Sequence, residues 1–246
     1  MKQYHMTMDS QILARKIGMN VFCPEHPNGK WLLLLHGYGG NEDEWAEKSG
    51  ILRLAAQYRL TVVSPGCGDG YYEDTEEPMG QFLGEELPVF LGERFPISHR
   101  REDSFIAGVS MGGFGALLLG SRYSRVFGRI ACLSGAFILH DVLIGNPGVL
   151  GNADVSYFRR VFGDFETLED SDRDPLAQAR RAAAENRMSP VYLLCGDRDV
   201  LALCNQRVAE ELTRMGVSVV ARTEAGGHYW DFWNRYLESV IQWLLQ

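Results

Sequence analysis

The chain has 246 residues, 46% of them apolar and 23% charged, and a formal net charge of −8. Those values give one large globular domain with a substantial core. The acidic balance argues against nucleic acid or an anionic membrane as partner. No apolar run approaches the ~20 residues that span a bilayer. The N-terminal stretch Met1–Ser10 lacks the apolar segment of a secretion signal, so the expected location is the cytoplasm. The five cysteines, Cys23, Cys67, Cys132, Cys195 and Cys204, are odd in number and show neither zinc nor dithiol spacing. Reduced thiols are expected, with Cys132 and Cys195 as small buried hydrophobes.

In chain order, apolar runs predict strands over Met19–Phe22 and Trp31–Leu35, a helix over Glu44–Gln57 and a strand over Leu60–Ser64. A helix over Gly80–Arg94, a strand over Ser104–Val109, a helix over Met111–Arg122 and a strand over Arg129–Leu133 follow. The last third predicts a helix over Asp174–Arg187, a strand over Val191–Cys195, a helix over Leu201–Met215, a strand over Val217–Thr223 and a helix over Asp231–Leu244. Several strands are continuously apolar, as strands covered on both faces are. The alternation predicts an α/β fold, a mostly parallel central sheet with helices on both faces, in one domain over residues 1–246. The connection from Leu133 to Val191, about 55 residues, is far longer than a plain crossover. It holds Gly145-Asn146-Pro147-Gly148, the aromatics Tyr157, Phe158, Phe162 and Phe165, and the acidic stretch Glu166–Asp174. Residues 138–188 are therefore an insertion, either a surface excursion or a lid-like wall over a site.

The most specific local pattern is Gly108-Val109-Ser110-Met111-Gly112, between the apolar run Phe105-Ile106-Ala107 and the helix-like Gly113–Leu119. Strand, sharp turn and helix with a serine at the turn resemble the nucleophile elbow of the α/β-hydrolase fold. Such a turn leaves no room for side chains two residues before and after the serine. This fold takes its acid and histidine later in the chain, in that order. After strand Val191–Cys195 comes Gly196-Asp197-Arg198-Asp199. Asp199 is favoured as the acid, and Asp197 as a turn or cap residue, because the chain needs a few residues beyond the turn to project a side chain. His228 follows the last strand on a loop freed by Gly226-Gly227, in reach of Ser110. His5, His26, His99 and His140 lie in polar or irregular surroundings and read as surface residues. The stripe Trp230, Trp233, Leu237, Ile241 and Leu244 reads as core packing, with Trp230 also a candidate for lining the site.

An oxyanion needs two backbone donors. Met111, directly after the serine, supplies one. The second comes from His36-Gly37-Tyr38-Gly39-Gly40-Asn41, with Tyr38 nominated and Gly37 and Gly39 as alternatives. His36, at the end of a buried strand, reads as a hydrogen-bonded scaffold residue. Gly66-Cys67-Gly68-Asp69-Gly70 lacks the lysine and the spacing of phosphate loops and reads as a flexible pocket loop.

Six segments together carry a family resemblance. They are Leu35–Asn41, Gly84-Glu85-Glu86-Leu87-Pro88, Phe95-Pro96-Ile97-Ser98, Ala107–Ala116, Cys195–Asp199 and Gly226–Trp233. Across them the chain resembles the esterase-D-like branch of the α/β-hydrolases, the tributyrin-esterase type most of all. The resemblance implies nucleophile Ser110, acid Asp199, base His228 and an oxyanion amide at Tyr38. It also implies a serine carboxylesterase acting on small-to-medium acyl esters. Thioesterase, feruloyl-type esterase and acyltransferase chemistry are alternatives on the same fold, and a non-catalytic binding module is the remote one. The expected partner is a small-molecule ester, with no metal and no organic cofactor; a homo-oligomer stays open. One departure is Tyr71-Tyr72-Glu73-Asp74-Thr75-Glu76-Glu77, more acidic than expected beside an ester pocket.

Overall fold

The computed structural model describes residues 1–145 and 154–246. The Asn146-Pro147-Gly148 part of the predicted insertion lies outside the described residues. Among the described residues, eight strands form one sheet: β1 (Lys2–Ser10), β2 (Arg15–Cys23), β3 (Trp31–Leu35), β4 (Thr61–Pro65), β5 (Ser104–Val109), β6 (Arg129–Leu133), β7 (Val191–Gly196) and β8 (Val219–Glu224). Their spatial order is β1-β2-β4-β3-β5-β6-β7-β8. The β1/β2 and β2/β4 pairs are antiparallel and every other pair is parallel. This is the mostly parallel sheet of the α/β-hydrolase fold.

Among the described residues the helices are α1 (Glu44–Lys48), α2 (Ile51–Tyr58), α3 (Met79–Gln81), α4 (Leu87–Arg94), α5 (Met111–Arg122), α6 (Leu139–Ile144), α7 (Val155–Phe162), α8 (Pro175–Ala184), α9 (Ala202–Arg214) and α10 (Trp230–Leu244). A π-turn, Phe82–Glu86, joins α3 to α4. Successive strand residues face opposite sides, so the sheet splits the core in two. Trp31, Leu33 and Leu35 of β3 join the layer of α4, α5, α8 and α9. Leu32 and Leu34 join the layer of α1, α2 and α10, including Trp45, Phe232 and Trp233. Both faces being covered is why β3, β5 and β7 are buried at every residue.

Three differences from the sequence-based expectations have local causes. The strand expected over Met19–Phe22 runs from Arg15 to Cys23 and pairs with an unforeseen β1. β1 is mostly exposed, so its polar residues hid the weak alternation of Tyr4, Met6 and Met8. The helix expected over Glu44–Gln57 breaks where Ser49 turns extended, φ −133° and ψ 166°, just before Gly50. The long connection contains α6, α7 and α8. Asp154 caps α7 by accepting from the Ser156 N–H, and Asp174 caps α8 by accepting from the Leu176 N–H, with Pro175 in its first turn. Helix α7 buries Phe158, Val161 and Phe162. Phe162 packs 4.9 Å from Tyr71 and 5.8 Å from Phe114 by ring centroids.

Because β3, β5, β7 and β8 are parallel, the loops that leave their carboxyl ends share one rim of the sheet. Those loops are His36–Asn41, the turn at Ser110, Asp197–Asp199 and Ala225–His228.

Candidate active site

Ser110 sits between β5 and α5 with φ 56° and ψ −119°, a strained backbone for a residue with a side chain. The helix starts so close to the sheet that a Cβ at Gly108 would lie 2.3 Å from the Gly112 carbonyl oxygen. One at Gly112 would lie 2.3 Å from the carbonyl oxygen of Leu35. The two glycines are thus fixed by close approach. The turn is over-determined by hydrogen bonds: Ser110 N–H donates to the Leu133 carbonyl, and the Ser110 carbonyl accepts from the N–H groups of Gly113, Phe114 and Ala136.

The structure brings Ser110, His228 and Asp199 into one chain of hydrogen bonds. The Ser110 hydroxyl donates to His228 Nε2 at 2.9 Å. His228 Nδ1–H donates to the Asp199 carboxylate at 2.9 and 3.1 Å. The Asp199 side chain is fully buried, and that of His228 is about a third exposed. Burial opposes the Asp199 charge. Hydrogen bonds from His228, the Leu201 N–H and Ser134 outweigh it and hold the carboxyl below its ordinary range. Ser134 in turn accepts from Trp233 Nε1–H at 3.0 Å, and Trp233 stands edge-on to the His228 ring at 5.0 Å. Trp230 packs at right angles to Trp45 and Trp233, at 5.0 and 5.3 Å.

Asp197 stands apart from that chain of hydrogen bonds and does a different job. Its Oδ1 accepts from the Gly226 N–H at 2.9 Å. The Arg198 N–H donates to the Gly226 carbonyl, and the Asp197 N–H to the Glu224 carbonyl. The acid-bearing and histidine-bearing loops are therefore laced together. They touch so closely that a Cβ at Gly196 would lie 2.5 Å from the Gly226 oxygen.

Among the three candidate amides of the 36–41 loop, two are occupied. The Gly37 N–H donates to Glu44 Oε2 at 2.9 Å, and the Gly39 N–H donates to Asp69 Oδ1 at 2.7 Å. Neither the Tyr38 nor the Met111 N–H has a hydrogen-bond partner among the described residues. His36 is fully buried. The Cys67 N–H donates to its Nε2 at 3.0 Å, which makes Nδ1 the protonated nitrogen, donating to the Gly37 carbonyl at 2.8 Å. The Tyr72 hydroxyl donates to the His36 carbonyl at 2.7 Å. His36 is thus a scaffold residue. The 66–70 loop, expected to be flexible, is instead tied to the 36–41 loop at Cys67 and Asp69.

The acidic segment that follows is mostly neutralised. Asp74 pairs with Arg122, Glu76 with Arg160 and Glu77 with Arg15. Tyr71 and Tyr72 are both buried at positive φ, 53° and 63°. Glu73 is buried with neither carboxyl oxygen hydrogen-bonded among the described residues. Burial drives its pKa well above the carboxylate range, against the pull of Arg122 and Arg173. His5, His26, His99 and His140 are exposed. All five cysteines are buried free thiols. Among the described residues no group of three or more His, Cys, Asp or Glu is placed to hold a metal ion, and no helix is long and apolar enough to cross a membrane.

Sequence reasoning missed Glu44, Asp69 and Ser134. Each accepts from a backbone amide or a ring N–H, for Asp69 and Ser134 from a distant segment. The one readable signal was Glu44, a carboxylate just after a glycine-rich turn at the start of a helix.

Comparison with known proteins places the chain in a family. Residues 10–243 match the family described as “Putative esterase”. The chain is 40% identical over 223 residues to an acetyl esterase from Caldicellulosiruptor saccharolyticus, covering 88% of this chain and 84% of that protein. Two solved Staphylococcus aureus structures share the fold. One is the substrate-bound fluorophosphonate-binding serine hydrolase FphF, at TM-score 0.90 and 23% identity over 100% of this chain and 98% of the other. The other is an S-formylglutathione hydrolase, FrmB, at TM-score 0.86 and 22% identity over 100% of both chains.

Proposed function

The chain belongs to the “Putative esterase” family, and from that premise we propose that it cleaves short acyl esters through an acyl-enzyme on Ser110. The observation that carries the proposal is the continuous relay from Asp199 through His228 to the Ser110 hydroxyl, each step within hydrogen-bond distance. In the first half-reaction Ser110 Oγ attacks the ester carbonyl and His228 Nε2 takes its proton. The amides of Tyr38 and Met111 receive the oxyanion. Protonated His228, held by ionised Asp199, gives the proton to the departing alcohol. In the second half, water attacks the acyl-serine while His228 takes its proton; His228 then gives that proton to the departing Ser110 Oγ, and the acid leaves.

A short acyl group is favoured by the 40% identical relative, an acetyl esterase. Helix α7, from the insertion, lines one side of the site and belongs to the same domain. The support is Tyr157 of α7, whose ring lies 5.6 Å from that of Tyr38. The test is a series of p-nitrophenyl esters of rising chain length, run beside an S-acyl thioester and an added alcohol. Highest kcat/KM for the acetyl ester, with free acid as product, supports the reading. Preference for the thioester, or transfer to the alcohol, would replace it with another chemistry of the same fold.

A further inference from the structure

We propose that Asp69 and Tyr157 are positioning residues that latch the long insertion onto the oxyanion loop, an inference that rests on the esterase reading above. Two hydrogen bonds converge on Asp69, and a ring contact accompanies them. Its Oδ1 accepts from the Gly39 N–H at 2.7 Å. Its carbonyl accepts from the Tyr157 hydroxyl at 2.6 Å. The Tyr157 ring stands nearly perpendicular to Tyr38, at 83°. Tyr157 lies 88 residues further along the chain, on α7. The Asp69 carboxylate therefore holds the residue after Tyr38, while Tyr157 holds Asp69 by its hydroxyl and packs on Tyr38 by its ring.

The physical consequence concerns which amide meets the oxyanion. A turn with three consecutive N–H groups has no intrinsic preference among them. Glu44 takes the first and Asp69 the third, which leaves the middle one of the three for the oxyanion. Without the Asp69 acceptor, the Gly39 amide is released at φ +72°, a glycine conformation that other turns share. Electrostatic stabilisation needs donors already aligned at the oxyanion position, and a displacement of about 1 Å costs roughly 100-fold in rate. Tyr157 makes that alignment depend on α7 being seated, so the wall of the site and its oxyanion donors are coupled. Neither residue touches the reacting atoms.

The experiment compares Asp69→Ala, Asp69→Asn and Tyr157→Phe with the unaltered protein on p-nitrophenyl acetate. A trifluoromethyl ketone, which becomes an oxyanion on serine, serves as the second probe. Asp69→Ala is expected to lose about 100-fold in kcat with KM little changed, and to lose ketone affinity in parallel. Asp69→Asn, which keeps the Oδ1 acceptor, is expected to restore most of the rate. Tyr157→Phe removes one hydroxyl from a side chain that stays in place, so it reports even where Asp69→Ala folds poorly. Its expected loss is about tenfold. A folded Asp69→Ala protein with unaltered kcat overturns the latch, as does an Asp69→Asn protein no faster than Asp69→Ala, or a Tyr157→Phe protein at full rate. Failure of the esterase reading is distinguishable: the unaltered protein would then form no acyl-enzyme on Ser110.

Discussion

His228 Nε2 lies 2.9 Å from Ser110 Oγ, although 118 positions separate the two in the chain. The contact exists because β5 and β8 end at the same rim of a parallel sheet, and because Asp197 and Arg198 fasten the histidine loop to the loop before α9. It joins a hydroxyl on a strained turn to a ring whose other nitrogen is fixed by a buried carboxylate.

Two aspartates stand two residues apart, and the structure gives them different work. Asp199→Asn should lower kcat by about 10⁴-fold, because the amide cannot hold His228 in the working tautomer. Asp197→Asn keeps an oxygen acceptor for the Gly226 N–H and should retain most of the rate. Steady-state kinetics of the two proteins on one ester checks the assignment; equal losses would contradict it.

Gly108→Ala and Gly112→Ala should each destabilise the fold by about 1–3 kcal/mol or more, since backbone oxygens at 2.3 Å cannot move aside as a side chain could. Denaturant midpoints with unaltered slopes would measure this. Gly50, where an added Cβ meets nothing within 4 Å, is the matched control and should tolerate alanine.

Much of this site was legible in the sequence, and the reasons are local. The pattern around Ser110 is demanded by backbone crowding, so it survives as residue identity. The order of serine, aspartate and histidine follows from strand order, so the side chains that the structure joins by hydrogen bonds, Ser110, His228 and Asp199, could be nominated from sequence. The sequence nominates Tyr38 only to within one residue either side. The choice among the three amides rests on Glu44 and Asp69, whose partners are set by how loops from β3 and β4 meet. β1 stayed hidden because an exposed edge strand needs little apolar pattern. Helix α7 stayed hidden because its aromatics read as a cluster until Asp154 was seen to cap it.

Glu73 gives a pH dependence with a definite sign. Its folded pKa is raised, so the folded protein holds a proton that the unfolded chain releases above about pH 4.3. Stability should therefore fall as pH rises from that value toward the folded pKa. Around Glu73 stand Arg122 and Arg173, which favour its charge, and Asp74 and Asp174, which oppose it. Glu73→Gln removes this titration. Urea melts between pH 5 and 8 should show a flatter profile for the variant; identical slopes would contradict the burial argument.

The most direct test is to mix the protein with p-nitrophenyl acetate, quench it in acid during the first turnovers and map the peptides by mass spectrometry. An acetyl group on Ser110, absent from a Ser110→Ala protein whose turnover has dropped about 10⁶-fold, is the predicted result. Ester hydrolysis at the full rate by Ser110→Ala, or acetyl carried on another residue with Ser110 unmodified, would contradict the account.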